Sequence, residues 1–270
     1  MDCSCAAETL SGVKFFVLDM DGTFYLGDHI IEGALRFVET VRKRNLDFMF
    51  FTNNSSKTSD AYIQKLSAMG CRIDKNRIMT SGDVAIAFLK THYKDASVYL
   101  MGTEALRRSF LQSGIRLTED EQPDVVVAAF DMELTYHKLE RACTYLRNGA
   151  EFFATHPDIN CPIKDNYIPD CGAFCAAITR STGVVPRFLG KPSAETVEMI
   201  LARTGYAKHE IAFVGDRLYT DVATGVHNGA KGFLVLSGET PLSAIADSPT
   251  KPTAVFDHLG EIADILAAEN

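Results

Sequence analysis

Two carboxylates stand one residue apart where the first apolar segment of the sequence ends. The stretch FFVLDMDGTFYLGD places Asp19 and Asp21 after an apolar run, and Gly22 follows, where the chain can turn. Side chains at positions i and i+2 of a strand point to the same side, so the two carboxylates are expected to start close together. At ~4 Å such a pair repels by ~4 kcal/mol with an effective dielectric of ~20. A bound cation or a shared proton would offset this repulsion.

Polar residues follow three more predicted strands in the same manner. Thr52 and Asn53 follow the segment DFMFF, Lys191 follows PRFLG, and Asp216 and Asp221 follow EIAFVG. Open parallel sheets bind ligands beyond the carboxyl ends of their strands, so the four groups converge if their strands share one sheet. Oxygen-only ligands suit Mg²⁺, which proteins often share with a substrate phosphate. The sequence therefore indicates a magnesium and phosphate site, in which the ion relieves the carboxylate repulsion.

Strand-like and helix-like segments alternate through most of the chain, which predicts an α/β fold with a parallel sheet flanked by helices. The predicted strands include 14–18, 47–51, 97–101, 124–130, 151–155 and 232–238, and the predicted helices include 34–43, 135–147, 173–182 and 259–269. The alternation starts again near Asp83. We therefore predict a discontinuous core of residues 1–82 and 183–270, and an α/β unit of residues 83–182 inserted into it.

The inserted unit contains one long segment without a clear period, HPDINCPIKDNYIPDCG, at residues 156–172. It has three prolines and a dense set of polar side chains. A loop of this length inside a compact domain is usually functional rather than connective. The segment is therefore predicted to be a binding loop.

The composition indicates a globular protein and argues against two classes of partner. The chain has 270 residues, of which 46% are hydrophobic and 23% charged, as in an ordinary globular protein. Its net charge of -8 argues against nucleic acid or an anionic membrane surface as the main partner. No signal-like or membrane-spanning apolar stretch is found, and the seven cysteines form no regular framework, so a cytoplasmic protein with reduced thiols is expected. Cys3 and Cys5 are expected to be plain terminal thiols, with metal binding as the alternative.

Four short motifs resemble those of the haloacid dehalogenase superfamily. They are DMDGT, FFTNNSSK, the lysine of LGKPS, and VGDRLYTD, in this order along the chain. TNNSSK, CGAFCAAI, GKPS and VLSGET together resemble subclass IIA, the NagD-type or 4-nitrophenylphosphatase-like group. The resemblance extends from about Lys14 to the last helix. It implies a Rossmann-like core with a large inserted α/β cap (C2 type), and a Mg²⁺-dependent phosphatase that hydrolyses phosphate monoesters.

The same resemblance implies roles for the acidic residues. Asp19 would attack phosphorus to form an aspartyl-phosphate that water then cleaves. Asp21 would protonate the leaving oxygen and then deprotonate the water. Mg²⁺ would be held by the carboxylates of Asp19 and Asp216 and by the backbone carbonyl of Asp21. Asp221 is expected in the second layer around the ion.

Other residues are implied to bind the substrate. Thr52, the backbone amide of Asn53 and Lys191 would hold the phosphate. The loop 156–172 of the cap would face the core site and select the leaving group. Cys161 lies where related phosphatases place a specificity residue. His156 is either a substrate contact or a turn residue beside a proline.

Three other functions share part of these signals. A phosphomutase of the same superfamily is the nearer alternative, although smaller caps are usual there. A phospho-accepting receiver-type regulatory module would explain neither Asp21 nor the cap, and a dehalogenase does not need Asp21.

Phosphoglycolate, glycerol phosphate, sugar phosphates, nucleotides and pyridoxal phosphate all fit as substrates. A homodimer through the cap is the assembly that this resemblance suggests.

Overall fold

A computed structural model describes residues 8–163 and 166–268. Cys3 and Cys5 lie outside the described residues. Within them the strands are β1 (Phe15–Leu18), β2 (Tyr25–Leu26), β3 (His29–Ile30), β4 (Asp47–Thr52), β5 (Ile78–Thr80), β6 (Ser97–Met101), β7 (Arg116–Leu117), β8 (Val125–Ala128), β9 (Glu151–Ala154), β10 (Asn160–Ile163), β11 (Asn166–Pro169), β12 (Arg187–Phe188), β13 (Ile211–Gly215), β14 (Lys231–Val235) and β15 (Ala254–Phe256).

The helices confirm the predicted alternation. In chain order they are α1 (Ala34–Lys43), α2 (Ser59–Ala68), α3 (Ser81–His92), α4 (Glu104–Gln112), α5 (Tyr136–Arg147), α6 (Cys171–Thr182), α7 (Ala194–Thr204), α8 (Ala223–His227), α9 (Ala244–Asp247) and α10 (Leu259–Ala268). Short 3₁₀ helices cover Lys75–Arg77 and Lys208–Glu210, and a π-helical turn covers Leu218–Val222. None of the described helices is long and apolar enough to cross a membrane.

The described residues form two compact units. The first contains residues 8–52, 63–79 and 196–268, and the second contains residues 53–62 and 80–195 apart from the undescribed positions 164 and 165. The second unit therefore takes in residues 53–62, 80–82 and 183–195, which the sequence analysis assigned to the core. The division into a core of 1–82 and 183–270 and an inserted unit of 83–182 stays a prediction.

A six-stranded sheet organises the first unit, in the order β15-β14-β13-β1-β4-β5. The pairs from β15 through β4 are parallel, with Leu18 of β1 opposite Val214 of β13 and Phe50 of β4. All four residues of β1 are buried. The central strands are apolar throughout because helices cover both faces of such a sheet.

Helix α1 shows how local pattern fixes an element. Its buried residues, Ala34, Phe37, Val38 and Val41, fall at i, i+3, i+4 and i+7, which is the period of a helix face. Gly33 precedes the helix with a φ of 75°, and a side chain there would clash with Gly260 of α10. The predicted helix 34–43 is confirmed, and it packs against the last helix through this glycine contact.

A five-stranded parallel sheet organises the second unit, in the order β12-β9-β8-β6-β7. Tyr99, Phe152 and Ile178 belong to the buried cluster that joins this sheet to α5 and α6. Cys171 and Cys175, one helical turn apart, are buried in the same cluster. The five cysteines among the described residues are all free.

The segment 156–172 differs from the predicted loop. Residues Asn160–Ile163 and Asn166–Pro169 form an antiparallel hairpin, in which Cys161 lies opposite Ile168. Helix α6 starts at Cys171, two residues before the predicted start, because the Asp170 side chain caps the helix by accepting a hydrogen bond from the Cys171 amide at 2.6 Å. Of the described residues in this segment, 156–159 and 170 lie outside the hairpin and the helix.

The prediction that four strands share one sheet is wrong for the strand before Lys191. Strand β12 pairs with β9 of the second sheet, with Phe188 opposite Ala154. Phe188 packs against the apolar cluster of that unit, which gives this two-residue strand its place. Three of the four polar groups therefore follow strands of the first sheet, whereas Lys191 follows a strand of the second.

Candidate active site

Three carboxylates meet at the carboxyl ends of β1 and β13 in the first unit. Asp19 directly follows β1, and its amide donates a hydrogen bond to the carbonyl of Val214 at 2.9 Å. Asp216 directly follows β13, and Asp221 returns on the π-helical turn. One carboxylate oxygen from each of these three residues lies within 4.8 Å of those of the other two. The parallel pairing of β1 with β13 thus brings together residues that are about 200 positions apart in the sequence.

Contrary to what the sequence pattern predicts, Asp21 does not lie beside Asp19 on a strand. Strand β1 ends at Leu18, so Asp19 and Asp21 do not share a strand and the rule for positions i and i+2 does not apply. The side chain of Asp21 is exposed, and its carboxylate is not part of the three-carboxylate group. Its backbone pairs with Tyr25 in an isolated bridge. The concentration of like charge is therefore at Asp19, Asp216 and Asp221.

Asp216 is buried with one of its two carboxylate oxygens lacking a hydrogen-bond partner. Its side chain is nearly fully buried, and Oδ2 accepts a hydrogen bond from the Glu239 amide at 2.7 Å. Its other oxygen, Oδ1, is buried without a hydrogen-bond partner. Burial and the nearby charge of Asp221 raise the pKa of Asp216 to about 7. A buried anionic oxygen that no donor satisfies is the environment that a cation would stabilise.

Glycines allow the backbone to approach these carboxylates. Gly22 has a φ of 81°, and a side chain there would collide with the carboxylate of Asp216. A side chain at Gly215 would collide with the carboxylate of Asp221 in the same way. The glycine that follows Asp21 is therefore needed for the turn and for the space around Asp216.

Asp221 belongs to the same group, because its carboxylate oxygen lies within 4.8 Å of those of Asp19 and Asp216. Its Oδ2 accepts a hydrogen bond from the Arg217 amide at 3.2 Å, and the side chain is buried. The structure thus places Asp221 in the carboxylate group, while its predicted position in the second layer around an ion stays a prediction.

A second polar cluster lies in the second unit and contains two of the predicted phosphate-binding residues. Asn53 Oδ1 accepts a hydrogen bond from the Lys191 amide at 2.9 Å, and Asn53 Nδ2 donates to the Lys191 carbonyl at 3.1 Å. Nδ2 also donates to Asp158 Oδ2 at 3.2 Å. Thr52, the last residue of β4, is buried. The structure brings Asn53 and Lys191 together through side-chain to backbone contacts.

The two residues predicted to set specificity have different environments. Cys161 is half-buried on β10, whereas His156 has no exposed surface. The Nε2 atom of His156 lies 2.9 Å from Asp170 Oδ1, and Nδ1 lies 3.0 Å from Thr155 Oγ1 and 3.3 Å from Ser81 Oγ. Both ring nitrogens are thus used within the second unit. A substrate contact for either residue stays a prediction.

Electrostatics hold His156 in its charged form. Burial on its own lowers the pKa of His156, but the hydrogen bond to Asp170 and the charges of Cys171, Asp170 and Asp158 together raise it to about 9. The imidazolium and the Asp170 carboxylate therefore form a buried ion pair at the base of the hairpin.

Sequence reasoning gave no role to Asp158, Asp170 or Glu239. Asp170 could have been found, because an aspartate directly before a helical period is a capping signal. Asp158 and Asn53 are 105 positions apart and share no periodic pattern, so no local signal joins them. Glu239 contributes only its backbone amide, which any residue could supply.

Comparison with known proteins identifies the family. Residues 16–116 match the family described as haloacid dehalogenase-like hydrolase, and residues 188–262 match a second family described as HAD-hydrolase-like. The acid sugar phosphatase of Staphylococcus aureus strain MRSA252 is 33% identical over 248 residues, which cover 92% of this chain and 96% of the relative.

Solved structures agree with this result. The 4-nitrophenylphosphatase of Thermotoga maritima has 43% sequence identity and a TM-score of 0.91, and the match covers 95% of this chain and 98% of that one. NagD of Escherichia coli K-12 has 28% identity and a TM-score of 0.85, with 92% and 98% covered. The fold and the subclass expected from the motifs are confirmed. The chain therefore belongs to the haloacid dehalogenase-like hydrolases, in the group that contains NagD and the 4-nitrophenylphosphatases.

Proposed function

We propose that this protein is a Mg²⁺-dependent phosphatase that hydrolyses small-molecule phosphate monoesters through an aspartyl-phosphate on Asp19. The observation that carries the proposal is the buried, unpartnered oxygen of Asp216 within a group of three carboxylates that includes Asp19. The relatives support the reaction type, because the proteins compared above are called acid sugar phosphatase and 4-nitrophenylphosphatase.

The donor set fits a hard divalent cation. Every candidate ligand in the group is a carboxylate oxygen, which suits Mg²⁺ better than softer metals. The carboxylates of Asp19 and Asp216 would hold the ion together with the backbone carbonyl of Asp21, and Asp221 would support them. When bound, Mg²⁺ supplies positive charge that offsets the repulsion among the carboxylates and the charge of a substrate phosphate.

Asp19 and Asp21 would divide the chemistry. A carboxylate oxygen of Asp19 attacks phosphorus and forms an acyl phosphate, while the ester P–O bond breaks. Asp21 gives its proton to the leaving alcohol oxygen, and then takes a proton from the water that attacks the same phosphorus. This second step releases inorganic phosphate and restores the Asp19 carboxylate. The exposed carboxylate of Asp21 is suited to exchange protons with water.

The remaining assignments come from the motif pattern. Thr52, the amide of Asn53 and Lys191 would bind the phosphate oxygens, so that positive charge and donors meet the anion. Small phosphate monoesters are the proposed substrates, with sugar phosphates the first class to test because of the name of the staphylococcal relative. Nucleic acid and membranes are not proposed as partners. A homodimer through the second unit is proposed as the assembly.

A phosphomutase remains the second candidate within the family. It would transfer the phosphoryl group of Asp19 to a second hydroxyl of a sugar phosphate instead of to water. The receiver-type module is set aside, because the chain matches hydrolases of this family over most of its length.

The experiment is a turnover assay on a panel of phosphate monoesters, with 4-nitrophenyl phosphate included, before and after exhaustive chelation. Release of inorganic phosphate that disappears on chelation and returns with Mg²⁺ is the expected result. Full activity in protein shown by elemental analysis to be free of metal would contradict the metal assignment. Isomerised phosphate esters without free phosphate would favour the mutase.

A further inference from the structure

We propose that Asp158 is a positioning residue, which acts through the Asn53 side chain to fix the main chain at Lys191. The inference rests on the proposed function, since it concerns the lysine assigned to the substrate phosphate. All the contacts that support it lie within the second unit.

The Asn53 carboxamide holds the backbone of Lys191 at two points, the N–H and the carbonyl. Oδ1 accepts from the Lys191 amide at 2.9 Å, and Nδ2 donates to the Lys191 carbonyl at 3.1 Å. The second hydrogen of Nδ2 goes to Asp158 Oδ2 at 3.2 Å, so both amide hydrogens are used. A rotated carboxamide would set its NH₂ group against the Lys191 amide and its oxygen against two acceptors. The Lys191 backbone and the Asp158 carboxylate therefore favour the same orientation of Asn53, and Asp158 holds it with a third hydrogen bond.

The three residues are shielded from water, so their hydrogen bonds cannot be replaced by solvent without cost. Lys191 is 3% exposed, Asp158 5% and Asn53 6%. Removing one partner of such a buried contact leaves the other unsatisfied, which is the expensive case. Gly190 packs closely against the site, because a side chain there would collide with the Thr155 carbonyl and Asn53 Oδ1.

Asp158 is itself held by the base of the hairpin. Its carbonyl accepts a hydrogen bond from the Gly172 amide at 2.8 Å, and the Asp170 amide donates to the Ile159 carbonyl at 2.9 Å. The buried ion pair of His156 with Asp170 joins the same two chain segments. Asp158 is thus fixed by backbone contacts at the start of the segment that carries β10 and β11.

A lysine that binds substrate needs a firmly held backbone, and this arrangement provides it. A lysine places its charge at the end of a flexible four-carbon chain, so its precision depends on how firmly its backbone is held. A misplacement of ~1 Å at a group that binds substrate can cost ~100-fold in rate. Two hydrogen bonds from one carboxamide to the N–H and the carbonyl of Lys191, reinforced by a buried carboxylate, supply that firmness.

The test is a double-mutant cycle on kcat/KM for 4-nitrophenyl phosphate with Asp158→Ala and Lys191→Ala. Asp158→Ala alone is expected to lower kcat/KM by ~10- to 100-fold and to weaken inhibition by inorganic phosphate. In the Lys191→Ala background the same change is expected to cost under ~3-fold, because the group it positions is gone. Equal losses in both backgrounds would overturn the proposal.

Two further variants separate positioning from folding. Asp158→Asn keeps an acceptor oxygen for Asn53 and is expected to stay within ~3-fold of wild type; a loss as large as that of Asp158→Ala would count against the proposal. Asp131→Ala is the matched control, since Asp131 is a buried aspartate of the same unit, 2.8 Å from Lys138 Nζ. It is expected to lower the melting temperature without changing kcat/KM.

If Asp158→Ala does not fold, Asn53→Ala takes its place in the cycle with the same two outcomes. It removes the carboxamide and leaves the Asn53 backbone amide and Asp158 in place. Failure of the proposed function is visible separately, because the wild-type protein would then release no phosphate from any ester. Failure of this inference would appear in an active wild type, either as additive losses in the cycle or as an Asp158→Asn loss as large as that of Asp158→Ala.

Discussion

The carboxylate of Asp216 is buried beside that of Asp221, with one oxygen of each within 4.8 Å, and its Oδ1 has no hydrogen-bond partner. Two like charges in one buried place are destabilising unless a cation joins them. The raised pKa of Asp216 has this cause, since burial and the charge of Asp221 both oppose its ionisation. The relationship therefore predicts that the folded protein gains stability when it binds Mg²⁺.

The first prediction concerns the gain in stability when the folded protein binds Mg²⁺. Wild-type protein stripped of metal should melt at a higher temperature when Mg²⁺ is added, because a ligand at ~100 times its Kd adds ~2.7 kcal/mol to the free energy of unfolding. Asp216→Ala should lose most of this shift, and Asp221→Ala should lose less. Calorimetry at fixed pH measures the change in melting temperature on addition of Mg²⁺. Asp257→Asn, a change at an exposed carboxylate of the same unit, serves as the control and should keep the full shift.

The second prediction uses the buried ion pair of His156 and Asp170. The pKa of His156 is raised from 6.5 to about 9, so the protonated imidazole stabilises the folded state. This contribution is complete below about pH 6.5 and is lost as the pH rises towards 9. Melting temperatures across that window should fall in wild type and fall less in His156→Gln. Equal slopes in the two proteins would show that His156 is neutral in the folded state.

The third prediction separates the two halves of the reaction. Asp21→Asn should lower kcat by ~10²- to 10⁴-fold, because both proton transfers lose their acid and base, while metal binding through the backbone carbonyl persists. The pH profile of the remaining activity should also change. An unaltered kcat would mean that another group moves the protons.

The fourth prediction concerns substrate choice. Changes at Cys161 should shift the preference between small and bulky esters by ~1–3 kcal/mol, the size expected of a few pocket contacts. Tyr167, exposed on the neighbouring strand of the hairpin, gives a comparison variant on the opposite face. The quantity to compare is kcat/KM across the ester panel. A fall by one common factor for every ester would mean that Cys161 does not read the leaving group.

Local pattern was sufficient where an element depends on its own residues. The predicted bounds of helix α1 match the structure at both ends. Its periodic apolar residues and the basic residues of its last turn all lie within one short stretch of sequence. The carboxylates that end β1 and β13 were found for a similar reason, since an apolar run followed by aspartate is visible without knowledge of the partner strand.

Pairing between distant segments could not be predicted in this way. A two-residue strand such as β12 has no pattern that says which sheet it joins, so the sheet position of Lys191 was predicted wrongly. The hairpin of β10 and β11 was missed because its prolines and polar residues hide the alternation of a strand. The hydrogen bond between Asn53 and Asp158 depends on the same long-range folding.

The central claim is that Asp19 carries the phosphoryl group during turnover. The most direct measurement is mass spectrometry of peptides from protein quenched in acid during steady-state hydrolysis of 4-nitrophenyl phosphate. We predict one added phosphoryl group on Asp19 in wild type, more of it in Asp21→Asn because its hydrolysis is slowed, and no such group or turnover in folded Asp19→Asn. Wild-type-like turnover in Asp19→Asn, or a phosphoryl group found on another residue, would contradict the account.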